Sequence, residues 1–287
     1  MNQSGGVGLE KSLGLTLQRA RQKAGLTQQA MCQRAGLSYS TLAKIERGAI
    51  KSPSIFTIKQ IAEVLGSSLD DLVGSVNGKQ DDKKTTKSGV RFVYFDINGC
   101  LVRFFHRAFT AMAADTGVSP DSIETAFWQY NDAICTGELT TEEFNRKLAK
   151  DLGLESLDWE KYYLDAVGPI PEMHDLVRWA AENYSIGLLS NIGSGFIDIM
   201  IKAGLLPDVA YDAIVDSSKV GVIKPSPKIY EIAEAMAGVP GNEILLIDDT
   251  RANLIPAGHA GWHVMWFNDY DSEESTKRVR TALEPAS

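Results

Sequence analysis

Long apolar runs, paired cysteines and clustered histidines are all missing from this 287-residue sequence. No stretch approaches the roughly 18 consecutive apolar residues that a membrane-spanning helix needs, so no membrane partner is expected. The opening MNQSGGVGLEKS lacks a basic start followed by an apolar segment. A secretory signal is therefore not expected, and a cytoplasmic location is. Cys32, Cys100 and Cys135 are odd in number and far apart, which argues for reduced thiols against a disulfide frame or a zinc site. The four histidines have no metal-ligand spacing, and there is no Walker A sequence. Gly193-Ser194-Gly195 is half a dinucleotide fingerprint without its third glycine, and a strand-to-helix turn accounts for it.

What is present divides the chain. Net charge is −8, but residues 1–75 carry nine Lys and Arg against five Asp and Glu, and the chain beyond residue 90 is strongly acidic. A basic head on an acidic body suggests that only the head meets a polyanion. The segment SVNGKQDDKKTTKSG has almost no apolar residue and no period, and it reads as a flexible linker over 75–90. Upstream, at 1–74, the patterns are all helical. Downstream, at 91–287, short apolar runs alternate with helical stretches, the mark of a parallel α/β sheet.

In the head, the pattern predicts a helix over Leu13–Ala24 stopped by Gly25. Thr27 caps a second helix that ends at Ala35-Gly36, and Ser38 caps a third, Tyr39–Arg47. Ile55, Ile58, Ile61, Ala62 and Leu65 form the stripe of a fourth, and Leu69 and Leu72 belong to a short fifth. The run GLTQQAMCQRAGLSYSTLAKIERG followed by SPSIFTIKQIAEVLGSSLDDL resembles the Cro/CI-type helix-turn-helix of phage repressors and xenobiotic-response-element regulators. The resemblance implies a third helix that enters the major groove of a double-stranded DNA operator. By position it makes Tyr39, Ser40 and Lys44 base readers, Gln28 a phosphate clamp, and Arg21 and Arg47 backbone contacts. It also implies a homodimer on two half-sites.

In the body, RFVYFD (91–96), SIGLL (185–189) and EILLID (243–248) read as buried strands, with AIVDS and HVMWF as further candidates. Asp96, Ser190, Asp248 and Asp249 all fall at carboxyl ends of strands, where open parallel sheets bind ligands. Residues 105–170 between the first two strands read as four helices: His106–Thr116, Asp121–Asp132, Thr141–Asp151 and Trp159–Ala166. FDINGCLV, LLSN, IKPSPKIY and LLIDDTRAN, in this order, resemble the motifs of the haloacid-dehalogenase superfamily. The resemblance implies a three-layer, Rossmann-like parallel sheet with a small helical cap at about 105–170 that closes over substrate.

It implies phosphoryl chemistry too. A carboxylate and a phosphate ester repel each other, and a divalent cation between them removes that barrier. In the family pattern Asp96 is the nucleophile; Asp96, Asp248 and the carbonyl of Asn98 hold Mg²⁺, assisted by Asp249. Ser190 and neighbouring amides bond the phosphoryl oxygens, and Lys224 neutralises charge. Gly99, Asn191, Trp128 and Asn131 are candidate contacts to a small phosphorylated metabolite. One departure stands out. Where most family phosphatases carry a second Asp that protonates the leaving group and activates water, this sequence has Asn98, which does neither. Three consequences are expected for a chain that joins this domain to a transcription regulator: slow Mg²⁺-dependent turnover, a substrate with a good leaving group, or a degenerate domain kept to bind and sense a ligand without turnover. The acidic pair at 248–249 argues against a true dehalogenase, which needs no magnesium.

Overall fold

The computed structural model describes residues 17–18, 20–47, 49–50, 53–67 and 83–285. The chain separates into two compact units, Met1–Asp81 and Asp82–Ser287. The predicted start of the first helix, the short fifth helix with Leu69 and Leu72, and the linker up to residue 82 lie outside the described residues.

In the first unit, α1 (Gln28–Ala35), α2 (Tyr39–Glu46) and α3 (Ile55–Leu65) follow a helical segment at 20–23. Each start is fixed by a side-chain oxygen. Thr27 Oγ1 accepts from the amide of Ala30, Ser38 Oγ from Thr41 and Ser54 Oγ from Thr57. Such caps satisfy first-turn donors that have no helical partner. Between α1 and α2 the chain reverses at Gly36, whose φ of 63° is open to glycine at no steric cost. Leu17, Met31, Leu42, Ile45, Ile58 and Ile61 form the small core.

The second unit is a five-stranded parallel sheet in the order β3-β2-β1-β4-β5. Its strands are β1 (Phe92–Phe95), β2 (Ser185–Ser190), β3 (Ala213–Asp216), β4 (Ile244–Asp248) and β5 (His263–Trp266). Their apolar side chains alternate between the faces, as the period of two requires. Val93, Phe95, Ile186, Leu188 and Ile247 join one cluster, while Phe92, Tyr94, Leu189, Val215 and Leu246 join the other. Helices cover both clusters, which is why the strands read as unbroken hydrophobic runs. One close approach needs a glycine: a Cβ on Gly187 would lie 2.6 Å from the Tyr94 ring.

Four helices rise between β1 and α8 (Pro171–Asn183) as the cap: α4 (His106–Thr116), α5 (Pro120–Cys135), α6 (Thr141–Asp151) and α7 (Trp159–Ala166). The second runs one turn further than the sequence pattern predicts, with Ile134 and Cys135 buried at its end. The third opens on a full capping box between Thr140 and Glu143. Phe105, Phe109, Phe127, Phe144 and Trp159 pack edge-to-face through its interior. Beyond the sheet's second face lie α11 (Pro227–Ala237) and α12 (Arg251–His259), and α9 (Phe196–Lys202), α10 (Ser217–Val220) and α13 (Ser272–Ala282) complete the unit.

Residues 83–90, inside the stretch expected to be a flexible linker, are instead fastened to this unit. Thr86 pairs with Pro285, the amide of Lys84 donates to Asn183 O at 2.7 Å, and Val90 N donates to Thr86 Oγ1. Backbone groups, which composition does not reveal, provide part of the attachment, and Lys83 Nζ adds to it by donating to Ala181 O and Tyr184 O.

Candidate active site

The chain leaves the centre of the sheet toward β2 and β3, then returns to lay β4 on the other side of β1. A ligand crevice forms where the direction of winding reverses, at the carboxyl ends of β1 and β4. Register places Phe95 beside Ile247, so the next residues on each strand, Asp96 and Asp248, emerge side by side. Ligand oxygens of Asp96, Asp248 and Asp249 all lie within 4.8 Å of one another.

One ammonium serves two of these acids. Lys224 Nζ is 2.9 Å from Asp96 Oδ1 and 2.5 Å from Asp248 Oδ2, and all three side chains are buried. The lysine is aimed by its backbone. Asn191 Oδ1 accepts from Lys224 N at 2.7 Å, and Asn191 Nδ2 donates to Lys224 O at 2.8 Å. Asp248 is oriented by Thr250 N at 2.8 Å and by Asn253 Nδ2 at 3.0 Å. Burial alone would lower the pKa of Lys224, but the Asp248 and Asp96 carboxylates outweigh it and hold the ammonium charged. Burial raises the pKa of Asp96, and the Asp248 charge adds to this against the pull of Lys224. Burial, then the charges of Asp96 and Asp248, push Asp249 up to about 7.

Three carboxylates against one ammonium leave an excess of negative charge. The oxygen-only donor set is what a hard divalent cation takes. Ser190 Oγ is buried beside the cluster's sheet edge with no hydrogen-bond partner. Buried hydroxyls are rarely orphaned, so this one points to a missing acceptor or donor. The residues therefore fit a cation with an oxyanion beside it.

The cap closes the other side. Tyr163, on α7, donates its hydroxyl to Asn98 Oδ1 at 2.8 Å, and burial raises its pKa. Ser217 Oγ donates to Cys135 O at 2.6 Å and accepts from Ile192 N, a second tie between cap and sheet domain. The cavity beneath it is about 30 Å³ and partly open, with Asn98, Asn131, Asn191 and Tyr163 among its walls. That holds a water or two and no organic substrate.

Of the residues singled out in the sequence, Asp96, Asn98, Gly99, Ser190, Lys224, Asp248 and Asp249 come to one crevice. Gly99 has a φ of +80°, and a Cβ there would collide with the Asp249 carboxylate, so its place is against an acid. Asn131 lines the cavity from the cap. Two expectations need correction. Asn191 spends its amide on the Lys224 backbone and is a positioning residue. Trp128 is 44% exposed, outside the cavity walls, with its indole N–H donated to Glu124. Sequence reasoning missed Tyr163, Thr250, Asn253 and Ser217. Asn253 had a signal: it lies five residues past Asp248, in the first turn of the helix that follows the strand. Tyr163 had none, because 65 residues separate it from its partner.

In the first unit, Tyr39, Ser40, Lys44 and Arg47 are exposed along and just past α2. Arg21 is not. It is buried, with Nε and Nη2 on the Glu46 carboxylate at 2.7 and 2.9 Å and Nη1 on Leu26 O. Its expected contact with a DNA backbone is replaced by an internal ion pair. Gln28 Nε2 donates to the same carboxylate at 2.7 Å, which gives it an internal partner as well.

A parallel sheet with a carboxylate cluster at its winding reversal and a helical lid defines a capped, Rossmann-like domain with a cation-binding type of site, here preceded by a helix-turn-helix module. The family profile for haloacid dehalogenase-like hydrolases matches residues 90–261, and the chain belongs to that family. The helix-turn-helix profile matches residues 17–72. Among curated proteins, the pyrimidine 5'-nucleotidase YjjG of Escherichia coli is 27% identical over 188 residues, covering 63% of this chain and 83% of that protein. The (S)-2-haloacid dehalogenase 4A of Burkholderia cepacia is 27% identical over 143 residues, covering 50% of this chain and 59% of its own length. Among solved structures, a HAD family enzyme of Bacteroides thetaiotaomicron in complex with magnesium and inorganic phosphate has a TM-score of 0.52 at 18% identity, covering 63% of this chain and 96% of that one. A predicted HAD-like family hydrolase of Porphyromonas gingivalis also has a TM-score of 0.52, at 22% identity, covering 67% and 98%. These structural likenesses are of fold. No helix among the described residues is long and apolar enough to cross a membrane.

Proposed function

We propose that the second unit is a Mg²⁺-dependent phosphohydrolase that acts on or senses a small phosphorylated metabolite. The first unit binds a duplex DNA operator, so that the chain is a transcription regulator. The observation that carries the enzymatic reading is the juxtaposition of three carboxylates within 4.8 Å of one another with a buried ammonium bridging two of them. A halide displacement needs one carboxylate and no such acidic excess. Asp96, Asp248 and the backbone carbonyl of Asn98 would hold the ion, with Asp249 assisting, and a bound Mg²⁺ supplies Lewis acidity and charge neutralisation. Asp96 attacks phosphorus as the bond from phosphorus to the leaving oxygen breaks, which leaves an aspartyl phosphate that water then hydrolyses to release phosphate. Lys224 holds Asp96 in place and offsets the charge brought by the phosphoryl oxygens. Ser190 donates its free hydroxyl to one of those oxygens. A relative whose name states nucleotidase activity and a fold neighbour crystallised with magnesium and phosphate support the reading.

The test is a panel of phosphate compounds with and without Mg²⁺, in the wild type and in Asp96→Asn. Phosphate release that needs the ion and is lost in the variant is expected. Ion-independent release, or release retained in Asp96→Asn, refutes the reading.

Asn98 favours a second reading, a ligand-sensing repressor without turnover. It predicts that phosphorylated ligands change DNA affinity while no hydrolysis occurs.

For the first unit, Tyr39, Ser40 and Lys44 reach base edges and Arg47 reaches phosphate, from a homodimer spanning two half-sites. Footprinting on sites selected from random duplexes tests this, and uniform weak binding to every sequence refutes it.

A further inference from the structure

We propose that this site takes phosphoryl donors whose leaving group departs as a stable anion, acyl phosphates above all, and that the phosphoryl group then stays on Asp96. The inference rests on the phosphohydrolase reading and narrows it to a substrate class.

Transfer from an alkyl phosphate ester expels an alkoxide, a strong base that has to be protonated as it leaves. The cavity under the cap reaches this loop at Asn98, two residues past Asp96, and a leaving group seated there would draw its proton from the cavity walls. Among the described residues, the polar walls of that cavity are the amides of Asn98, Asn131 and Asn191, the phenol of Tyr163 and the thiol of Cys135. None is a carboxyl, imidazole or ammonium group. Tyr163, Asn191 and Cys135 are also committed. The phenolic hydrogen is donated to Asn98 Oδ1 at 2.8 Å, and the Asn191 amide is closed on the Lys224 backbone at both ends. Cys135 Sγ is turned to Asn131 Oδ1 at 3.7 Å. Lys224 is held between Asp96 and Asp248, and Asp249 packs against Gly99 and Thr250, outside the cavity walls.

An acyl phosphate needs no such donor. An Asp96 oxygen forms a bond to phosphorus, the bond from phosphorus to the acyl oxygen breaks, and the electron pair leaves on a carboxylate that is stable without a proton. One mixed anhydride is exchanged for another, so the transfer is nearly balanced in energy. Hydrolysis of the aspartyl phosphate then requires a water molecule to lose a proton. The same walls that lack an acid lack a base, and Tyr163 keeps Asn98 with its N–H₂ end free, which donates only. The covalent form therefore outlasts the transfer step, and phosphate is released slowly.

The full chain is mixed with Mg²⁺ and either acetyl phosphate or glycerol phosphate, and acetate release and intact mass are followed together. Acetyl phosphate is expected to release about one acetate per chain in a burst. The mass then rises by one phosphoryl group, which hydroxylamine removes and which Asp96→Asn does not acquire. Glycerol phosphate should react at least about a hundredfold more slowly, the usual worth of a missing general acid. Asn98→Asp should speed the ester by about a hundredfold or more and shorten the life of the label. Steady turnover of glycerol phosphate at a rate comparable to acetyl phosphate, with no retained label, overturns this inference and leaves the phosphohydrolase reading standing. If neither compound reacts with Mg²⁺ present, the phosphohydrolase reading itself fails.

Discussion

Lys224→Met tests the charge balance on which the active site depends. The ammonium contacts Asp96 at 2.9 Å and Asp248 at 2.5 Å, and each of the three residues is less than a tenth exposed. Methionine fills much of the same volume and removes the charge together with its hydrogen bonds to the two carboxylates. Two carboxylates are then buried without their counter-ion, and breaking a buried pair in this way destabilises by about 3–5 kcal/mol. For a unit of this size each kcal/mol moves Tm by about 2–4 °C, so the loss should reach roughly 6–20 °C in metal-free buffer at neutral pH. Two further outcomes separate electrostatics from packing. Mg²⁺ at a hundred times its Kd should return about 2.7 kcal/mol, because it binds only the folded cluster. Acidification should also shrink the deficit, since a protonated carboxyl no longer needs the ammonium. Scanning calorimetry of the full chain, with EDTA and with Mg²⁺ at several pH values, reads all three. A metal-free Tm equal to wild type, or a loss that neither Mg²⁺ nor acid relieves, would refute the argument.

The other expectations are briefer. The folded-state pKa of Asp249, about 7, lies above its ordinary 3.8. Its contribution to stability is thus full below pH 3.8 and lost as pH rises through about 7; Asp249→Asn should flatten that slope in urea titrations without metal. Tyr163→Phe leaves the buried Asn98 Oδ1 without its donor and should lower unfolding free energy by about 1–3 kcal/mol, measured by the same titrations. Glu46→Ala strands the buried Arg21 guanidinium at a loss of about 3–5 kcal/mol, enough to unfold so small a module. Circular dichroism should show fewer helices while the calorimetric transition of the second unit is unmoved. Lys44→Ala should weaken a selected operator by about 1–3 kcal/mol and relax preference at one base pair, whereas Arg47→Ala should weaken all duplexes alike, as read by fluorescence anisotropy.

The sheet and its acids were legible because their signals are local. RFVYFD and EILLID are apolar runs that end in carboxylates, and a parallel sheet buried on both faces accepts no other kind of strand. The cap helices were legible from period and caps, and the misjudged end of α5 shows that a period does not say where burial stops. What stayed hidden depends on partners distant in the chain. Arg21 looks like a surface cation until Glu46 arrives from 25 residues away, and Asn191 looks like a substrate ligand until the Lys224 backbone occupies both ends of its amide. Composition made residues 83–90 look unattached, although backbone groups, blind to side-chain type, moor them beside Pro285.

The cavity of about 30 Å³ under the cap sets how the protein meets its ligand. The organic phosphate proposed above is larger than this space, so the ties from Tyr163 to Asn98 and from Ser217 to Cys135 are expected to loosen before it seats. The speed of capture then belongs to the protein and not to the ligand. At high concentration, compounds of quite different size and charge should reach one shared ceiling of association, set by how often the lid lifts.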